Sequence, residues 1–337
     1  MPHQSITIAI AGGTGTIGSA IISALLPHPQ YKITILSRAT PSHPVGTTST
    51  STTTTPEFSG IEINITTQYV DYTSPKSLQN ALKDINILIS TLLIPSPEFA
   101  PIQLNLLHAA EKAGVTRFVP SEFALSQQAH HEVEIDKAKI LVWEEVMRSV
   151  QNGKIDAGFF PCGMFMNYLA VGASFKDTKQ EEEALAGFKE GGMIFYLDDE
   201  DSGPWVEIPL TETGGYPDVT MTDIRDVGRF VVAALEIEEP WAGRELGMAG
   251  DTRNLGEVVE IIQGVLGVEV EVRTVRQEEL QGRLEGLGEG DVLGRMEVQY
   301  MMVCGRGGSV VRGVLNELCP DVKPISIRGF MERYWSS

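Results

Sequence analysis

Residues 6–18 read ITIAIAGGTGTIG, and this stretch decides the fold. Ile6, Ile8 and Ile10 alternate with Thr7, Ala9 and Ala11, the pattern of a buried strand. The chain then bends through Gly12, Gly13, Thr14 and Gly15. From Ile17 onward, apolar residues recur at Ala20, Ile21, Ala24 and Leu25, which is helical spacing. A strand, a glycine bend and a helix in that order are the context a dinucleotide fingerprint requires. Gly12 permits the tight turn, Gly15 lets backbone approach a pyrophosphate, and Gly18 lets the helix pack close to the strand. The helix N-terminus attracts the anion, so Thr14, Thr16 and Ile17 join the expected cofactor contacts.

Working outward, the second strand is Lys32–Leu36, and it ends in Ser37-Arg38. An NAD-preferring site places an acid here for the ribose 2′-hydroxyl. Arg38 offers instead a planar fork of donors suited to a 2′-phosphate, with Ser37 beside it. The expected cofactor is therefore NADPH/NADP rather than NADH; a plain surface arginine is the alternative. The net charge of −19, from 26 basic and 45 acidic residues, argues against a nucleic-acid partner. It also means that an anionic cofactor must be held by a few local donors against the global field.

The rest of the chain alternates strand and helix. Residues 39–57 are Ser/Thr-rich with three prolines and are expected to be a mobile loop. Strands are expected at 61–70, 86–91, 116–120 and 155–160, with helices near 75–82, 101–113 and 134–152 between them. Ser90, Thr91 and Leu92 then fall at the carboxyl edge of the sheet, facing the cofactor. The fold class that follows is α/β, a Rossmann-type doubly wound parallel sheet with a smaller discontinuous α/β substrate domain. The expected division is 1–160 with 218–250 returning to it, against 161–217 and 251–337. In the second part, a strand pair is expected over 191–209 around Asp198-Asp199-Glu200-Asp201, acids read as hydrated rather than metal-binding. Thr222-Asp223 start a helix through Leu235, 246–249 is a short strand, and Thr252 and Asn254 start another helix. Residues 268–275 form a strand, 282–294 are weakly structured, and 326–335 form a terminal helix.

Three scattered cysteines, Cys162, Cys304 and Cys319, without a C-x-x-C or Cys/His cluster, read as reduced thiols and no metal site. No apolar run reaches membrane-spanning length, and the first strand follows the start too closely for a signal peptide. The expected setting is cytoplasmic, as monomer or homodimer, without a membrane partner.

The pieces AGGTGTIG (11–18), ILSR (35–38), LISTL (88–92), AAEKAGVTRFVPSEFA (109–124), DK (136–137) and DIRDVGRFVVAAL (223–235) resemble the NmrA-like, isoflavone-reductase-like branch of the atypical short-chain dehydrogenases. That branch includes phenylcoumaran benzylic ether and pinoresinol–lariciresinol reductases, and the flavour here is of its fungal members in secondary metabolism. The resemblance implies an NADPH-binding domain and a catalytic lysine early in the helix after the PSEF loop, which Lys137 matches. A lysine in an apolar pocket has its pKa lowered by desolvation and can serve as acid or base near neutrality. By the same resemblance Ser121 and the Pro161-Cys162-Gly163 backbone lie along the cofactor. Glu122, Phe123, Phe165, Met166 and Tyr168 are candidates for the substrate side, and core packing is the alternative for Phe165. The Tyr-x-x-x-Lys pair of ordinary short-chain dehydrogenases is absent from the sequence. The expected activity is reduction of a small aromatic or conjugated metabolite. A non-catalytic NAD(P)-binding regulator of the NmrA type and a redox-neutral isomerase or cyclase stay open as alternatives.

Overall fold

The fold is described from a computed structural model, over residues 5–54, 62–189, 192–199 and 203–335. The chain divides into two units. The first comprises Met1–Phe123, Ala138–Phe160 and Gly228–Leu246, the second Ala124–Lys137, Pro161–Val227 and Gly247–Ser337. Residues 124–137, 218–227 and 247–250, placed with the cofactor domain by the sequence pattern, cluster with the second unit.

In the first unit β1 (Ile6–Ala11) feeds α1 (Thr16–Leu25), and β2 (Tyr31–Arg38) follows. Next come β3 (Thr48–Thr54), β4 (Glu62–Val70), α2 (Pro75–Ala81) and β5 (Ile87–Ser90). The unit continues with α3 (Phe99–Ala113), β6 (Arg117–Val119), α4 (Lys137–Gln151, counted here from Ala138) and β7 (Asp156–Ala157). The strands form one sheet in the order β3-β4-β2-β1-β5-β6-β7. All neighbours are parallel except β3 on β4. The order reverses between β1 and β5, the switch point at which such sheets open a crevice.

β1 sits in the middle because its residues are apolar on both faces: Ile8, Ala9, Ile10 and Ala11 are all 0 % exposed. Ser74 caps α2 by accepting from Ser77 N at 3.3 Å, and Gly114 closes α3 in the left-handed region at φ 81°. Gly228 lets the chain after Val227 lie against α1, since a Cβ there would stand 2.4 Å from Ala20 O.

Residues 39–54 are not the structureless loop that their composition suggests. Thr40 and His43 close a tight turn with paired backbone bonds of 2.9 and 3.0 Å. Thr48–Thr54 then pair antiparallel with β4. Threonine is β-branched and favours strands, and backbone pairing here needs no apolar anchor. Residues 55–57 of that segment lie outside the described residues.

The second unit holds β8 (Met164–Phe165), α5 (Thr178–Leu185), β9 (Phe195–Tyr196), β10 (Trp205–Pro209) and β11 (Asp218–Thr222). After α6 (Ile224–Leu235), whose residues from Gly228 on belong to the first unit, come β12 (Asp251–Asn254), α7 (Leu255–Leu266), β13 (Glu271–Val275) and α8 (Gln277–Gly286). The unit ends with α9 (Val292–Gly305), α10 (Val314–Leu318) and α11 (Ile327–Trp335). Two three-stranded sheets result, β13-β10-β9 and β12-β11-β8. The pair expected over 191–209 is β9 against β10; residues 191 and 200–202 lie outside the described residues.

Three expectations are corrected. Residues 246–249 are not a strand, and only Glu245 bridges Phe159. Asn254 starts α7 as expected, through a capping box with Glu257, but Thr252 lies in β12 rather than at the helix start. The Gly/Glu-rich 282–294 segment is irregular only at 287–291; it takes in the end of α8 and the start of α9, where Asp291 caps by accepting from Gly294 N at 3.1 Å. Glycine lowers helix propensity, but caps and tertiary packing override it.

Candidate functional site: the glycine bend and its surroundings

The bend between β1 and α1 is built of backbone pressed on backbone. Gly12 has φ +86°, and a Cβ on it would meet Thr91 Oγ1 at 2.8 Å. A Cβ on Gly18 would stand 2.3 Å from Gly12 O and 2.7 Å from Gly13 Cα, so this helix position admits only hydrogen. Gly12 O accepts from Gly15 N at 2.9 Å, which tightens the turn. Gly15 differs. Its φ of −85° and ψ of 174° suit any residue, and a Cβ would touch only Gly12 O at 3.3 Å. Thr14, Gly15 and Thr16 are exposed and Ile17 is half-buried. α1 has no side-chain cap and no acid in its first turn. Its first N–H groups therefore keep the donor capacity and partial positive charge of an uncapped helix start.

Thr91 fastens this bend to β5. Its backbone N–H donates to Ala11 O at 2.8 Å, and its hydroxyl lies 3.1 Å from both Ala11 O and Gly12 O. Ser90 does not face the edge: it is 0 % exposed, and its Oγ accepts from Gln103 Nε2 of α3 at 2.9 Å. Strand alternation turns consecutive side chains to opposite faces, so Ser90 and Thr91 cannot both look toward a ligand. Leu92 is half-buried, and its carbonyl accepts from Ser121 Oγ at 3.0 Å.

Ser37 and Arg38 end β2 on the same carboxyl edge, since Ala11 is in register with Leu36. Ser37 is half-buried. Arg38 is exposed and makes no hydrogen bond or ion pair with any described residue. Glycine backbone without side chains, open helix donors and an unengaged guanidinium on one edge fit a phosphorylated dinucleotide. Among the described residues no three His, Cys, Asp or Glu side chains gather as a metal site.

In the second unit Lys137 is the first residue of α4 and is exposed, not set in an apolar pocket. Pro161 and Cys162 are buried, and their carbonyls accept from Met248 N at 2.9 Å and Thr222 Oγ1 at 2.7 Å. Gly163 has φ +74° and passes so close to β11 that a Cβ would lie 2.3 Å from Thr220 O. Phe165 and Tyr168 are half-buried and share Phe188, at ring separations of 6.1 and 4.4 Å. Burial raises the Tyr168 phenol above its ordinary range, with Glu297 adding to it. Met166 is 0 % exposed and belongs to the unit's core, so it lines no cleft. In the first unit Glu122 is 1 % and Phe123 6 % exposed, Phe123 lying 6.3 Å from the Phe160 ring. Phe188 carried no sequence signal, being one aromatic residue in a charged stretch.

Residues 4–301 match the model of the NmrA-like family. Oxidoreductase BOA1 of Botryotinia fuckeliana is 28 % identical over 269 residues, covering 78 % of this chain and 76 % of that protein. Among solved structures, an isoflavone reductase superposes with a TM-score of 0.68 at 18 % identity, covering 97 % of this chain and 98 % of the other. The leucoanthocyanidin reductase–NADPH complex from Vitis vinifera gives 0.67 at 15 % identity, covering 97 % and 99 %. At these identities the structural likeness is one of fold.

Proposed function

The chain belongs to the NmrA-like family, and from that membership together with the site geometry we propose that it is an NADPH-dependent reductase of a small aromatic or conjugated molecule. The observation that carries this reading is the bend itself. Gly12 and Gly18 are held where a side chain cannot stand, while Gly15 is left bare on the open side. Gly15 needs no positive φ; glycine there suits the N-cap, and its exposed backbone also leaves room for a ligand to approach. Gly12, Thr14, Gly15, Thr16, Ile17 and Gly18 would hold the pyrophosphate through backbone N–H groups. Arg38 with Ser37 would hold the 2′-phosphate, and Thr91 keeps the bend in place. Related solved proteins carry the cofactor: NADPH in leucoanthocyanidin reductase, NADP+ with pinoresinol in another neighbour.

When bound, NADPH supplies a hydride to an electron-poor carbon. Charge then develops on a substrate oxygen, and Lys137 is the group proposed to give it a proton. Lys137 is exposed at the start of α4, so its amine is open to an incoming substrate. Pro161, Cys162, Gly163 and Ser121 are proposed along the cofactor. Glu122, Phe123, Phe165 and Tyr168 are proposed toward the substrate, by family likeness.

The test is titration with NADPH and NADH by fluorescence, then turnover against a panel of quinones, conjugated enones and benzylic ethers. NADPH is expected to bind tighter by about tenfold or more, and Arg38→Ala to erase the difference, since charge-assisted bonds are each worth roughly 1.5–3 kcal/mol. Lys137→Ala is expected to lower kcat by roughly 10²-fold or more with little change in NADPH affinity. No saturable NADPH signal would refute the proposal. A product of unchanged mass formed without NADPH consumption would replace reduction with isomerisation.

A further inference from the structure

The segment 124–137 ends in Lys137, and it is tied to α9, whose residues are about 160 positions away in sequence. Glu134 is held at three points. Its carboxylate accepts from Arg295 at 2.7 and 2.9 Å, its N–H donates to Gln299 Oε1 at 2.9 Å, and its carbonyl accepts from Lys137 N at 3.3 Å. Arg295 holds the Glu134 carboxyl below the ordinary carboxylate range. Asp136, next to Lys137 in the chain, is 2 % exposed. Its Oδ2 accepts from Tyr300 Oη at 2.7 Å and lies 3.0 Å from His130 Nδ1. Arg306 reaches Glu132 at 2.7 Å. Leu125, Ala129, Val133 and Ile135 pack with Met296, Tyr300 and Val303. Met296, Gln299, Tyr300 and Val303 stand at i, i+3, i+4 and i+7, one stripe of a helix, with Arg295 at its margin.

A surface lysine needs no such footing. A lysine whose amine must meet a reacting oxygen does, because misplacement of about 1 Å can cost roughly 10²-fold in rate. The Lys137 side chain is exposed and feels the Glu134 carboxylate, while the backbone beneath it is fixed through the residues before it. We propose that Glu134 and Asp136, held by Arg295 and Tyr300 of α9, are positioning residues that set where Lys137 is presented. The proposal rests on the reading of Lys137 as proton donor. It assigns α9 a part in the reaction that no motif in its sequence marks.

The experiment uses the whole 337-residue chain. Tyr300→Phe keeps the ring in the apolar stripe and removes its bond to Asp136; Arg295→Met removes the pair with Glu134. Each protein is briefly acylated with an acetyl N-hydroxysuccinimide ester across a pH series, and Lys137 labelling is read by peptide mass spectrometry against Lys139. The Lys137-to-Lys139 ratio is expected to change by about threefold or more in both variants, with a moved pH midpoint for Lys137. It is expected to stay put in Arg283→Met, which breaks the Glu207–Arg283 pair elsewhere in the same unit. A merely structural role would move both lysines together. An unchanged ratio in both variants overturns the proposal. In NADPH oxidation Tyr300→Phe is expected to lower kcat about tenfold when Lys137 is present but less than about twofold in a Lys137→Ala background. Equal losses in both backgrounds also overturn it. Failure of the underlying reading looks different: Lys137→Ala then turns over like wild type, while the labelling ratio still responds to Tyr300→Phe.

Discussion

Alanine at Gly15 and alanine at Gly18 are expected to separate ligand binding from folding within one short bend. At Gly18 the added Cβ meets three backbone atoms, Gly12 O at 2.3 Å, Gly13 Cα at 2.7 Å and Gly12 C at 2.9 Å. No flexible side chain is there to swing aside, so α1 or the bend must shift. Overpacking costs about 1–3 kcal/mol, and rigid neighbours put this site at the upper end, about 2–3 kcal/mol. For a unit of this size that corresponds to roughly 5–10 °C in midpoint temperature. At Gly15 the backbone is already extended, and the nearest atom is 3.3 Å from the added carbon. Losing glycine from an N-cap costs about 0.5–1 kcal/mol, and the stiffer unfolded chain returns about 0.4–1 kcal/mol, so stability should barely move. The methyl would nonetheless stand where the pyrophosphate must come close. Losing one charge-assisted bond there is worth about 1.5–3 kcal/mol, or roughly 10- to 100-fold in affinity. Urea unfolding and NADPH titration of the two variants read both quantities. Gly15→Ala binding NADPH like wild type would refute the pyrophosphate assignment. Gly18→Ala melting like wild type would refute the close-packing argument.

Thr91→Val should cost about 1 kcal/mol by removing the hydroxyl shared between Ala11 O and Gly12 O, and should weaken NADPH binding as well; calorimetry with and without NADPH checks both. Asn254→Ala should lose about 1 kcal/mol with no change in NADPH affinity, because it breaks the capping box of α7, far along the chain from the bend; urea midpoints check it. Burial pushes the Cys304 thiol up to about 12. Its folded pKa lies above its unfolded value, so its contribution is whole below about pH 8.5 and is lost as pH rises toward the folded pKa, at about 1.4 kcal/mol per pH unit. Cys304→Ala should therefore flatten the alkaline fall of stability, and equal slopes in both proteins would count against it.

The strand–glycine–helix order, the periodic apolar residues of β1, β5 and α3, and the Arg38 position were legible because each depends on neighbours within one or two turns of chain. A glycine at a crowded position or an apolar residue at a fixed period leaves a mark wherever the fold places it. The same local reading misjudged residues 48–54 and the two ends of 282–294, at 282–286 and 292–294, where composition pointed to loop and pairing or capping made a strand and helices. It also placed Ser90 toward the cofactor, because the edge of a strand can be read from sequence while the face of one side chain needs the register.

What the amino-acid order alone determined was the doubly wound sheet, the position of the bend and the charge at the end of β2. Tertiary structure decided what rests on long-range contacts. Thr91 clamps Gly12 from 79 residues away, Gln103 takes Ser90 out of reach, and α9 holds the footing of Lys137. The physical reason is that a bend or a helix is specified by torsions and periodicity along the chain. A hydrogen bond between distant residues exists only once packing has brought donor and acceptor to within about 3 Å, and nothing in either residue's own neighbourhood records its partner.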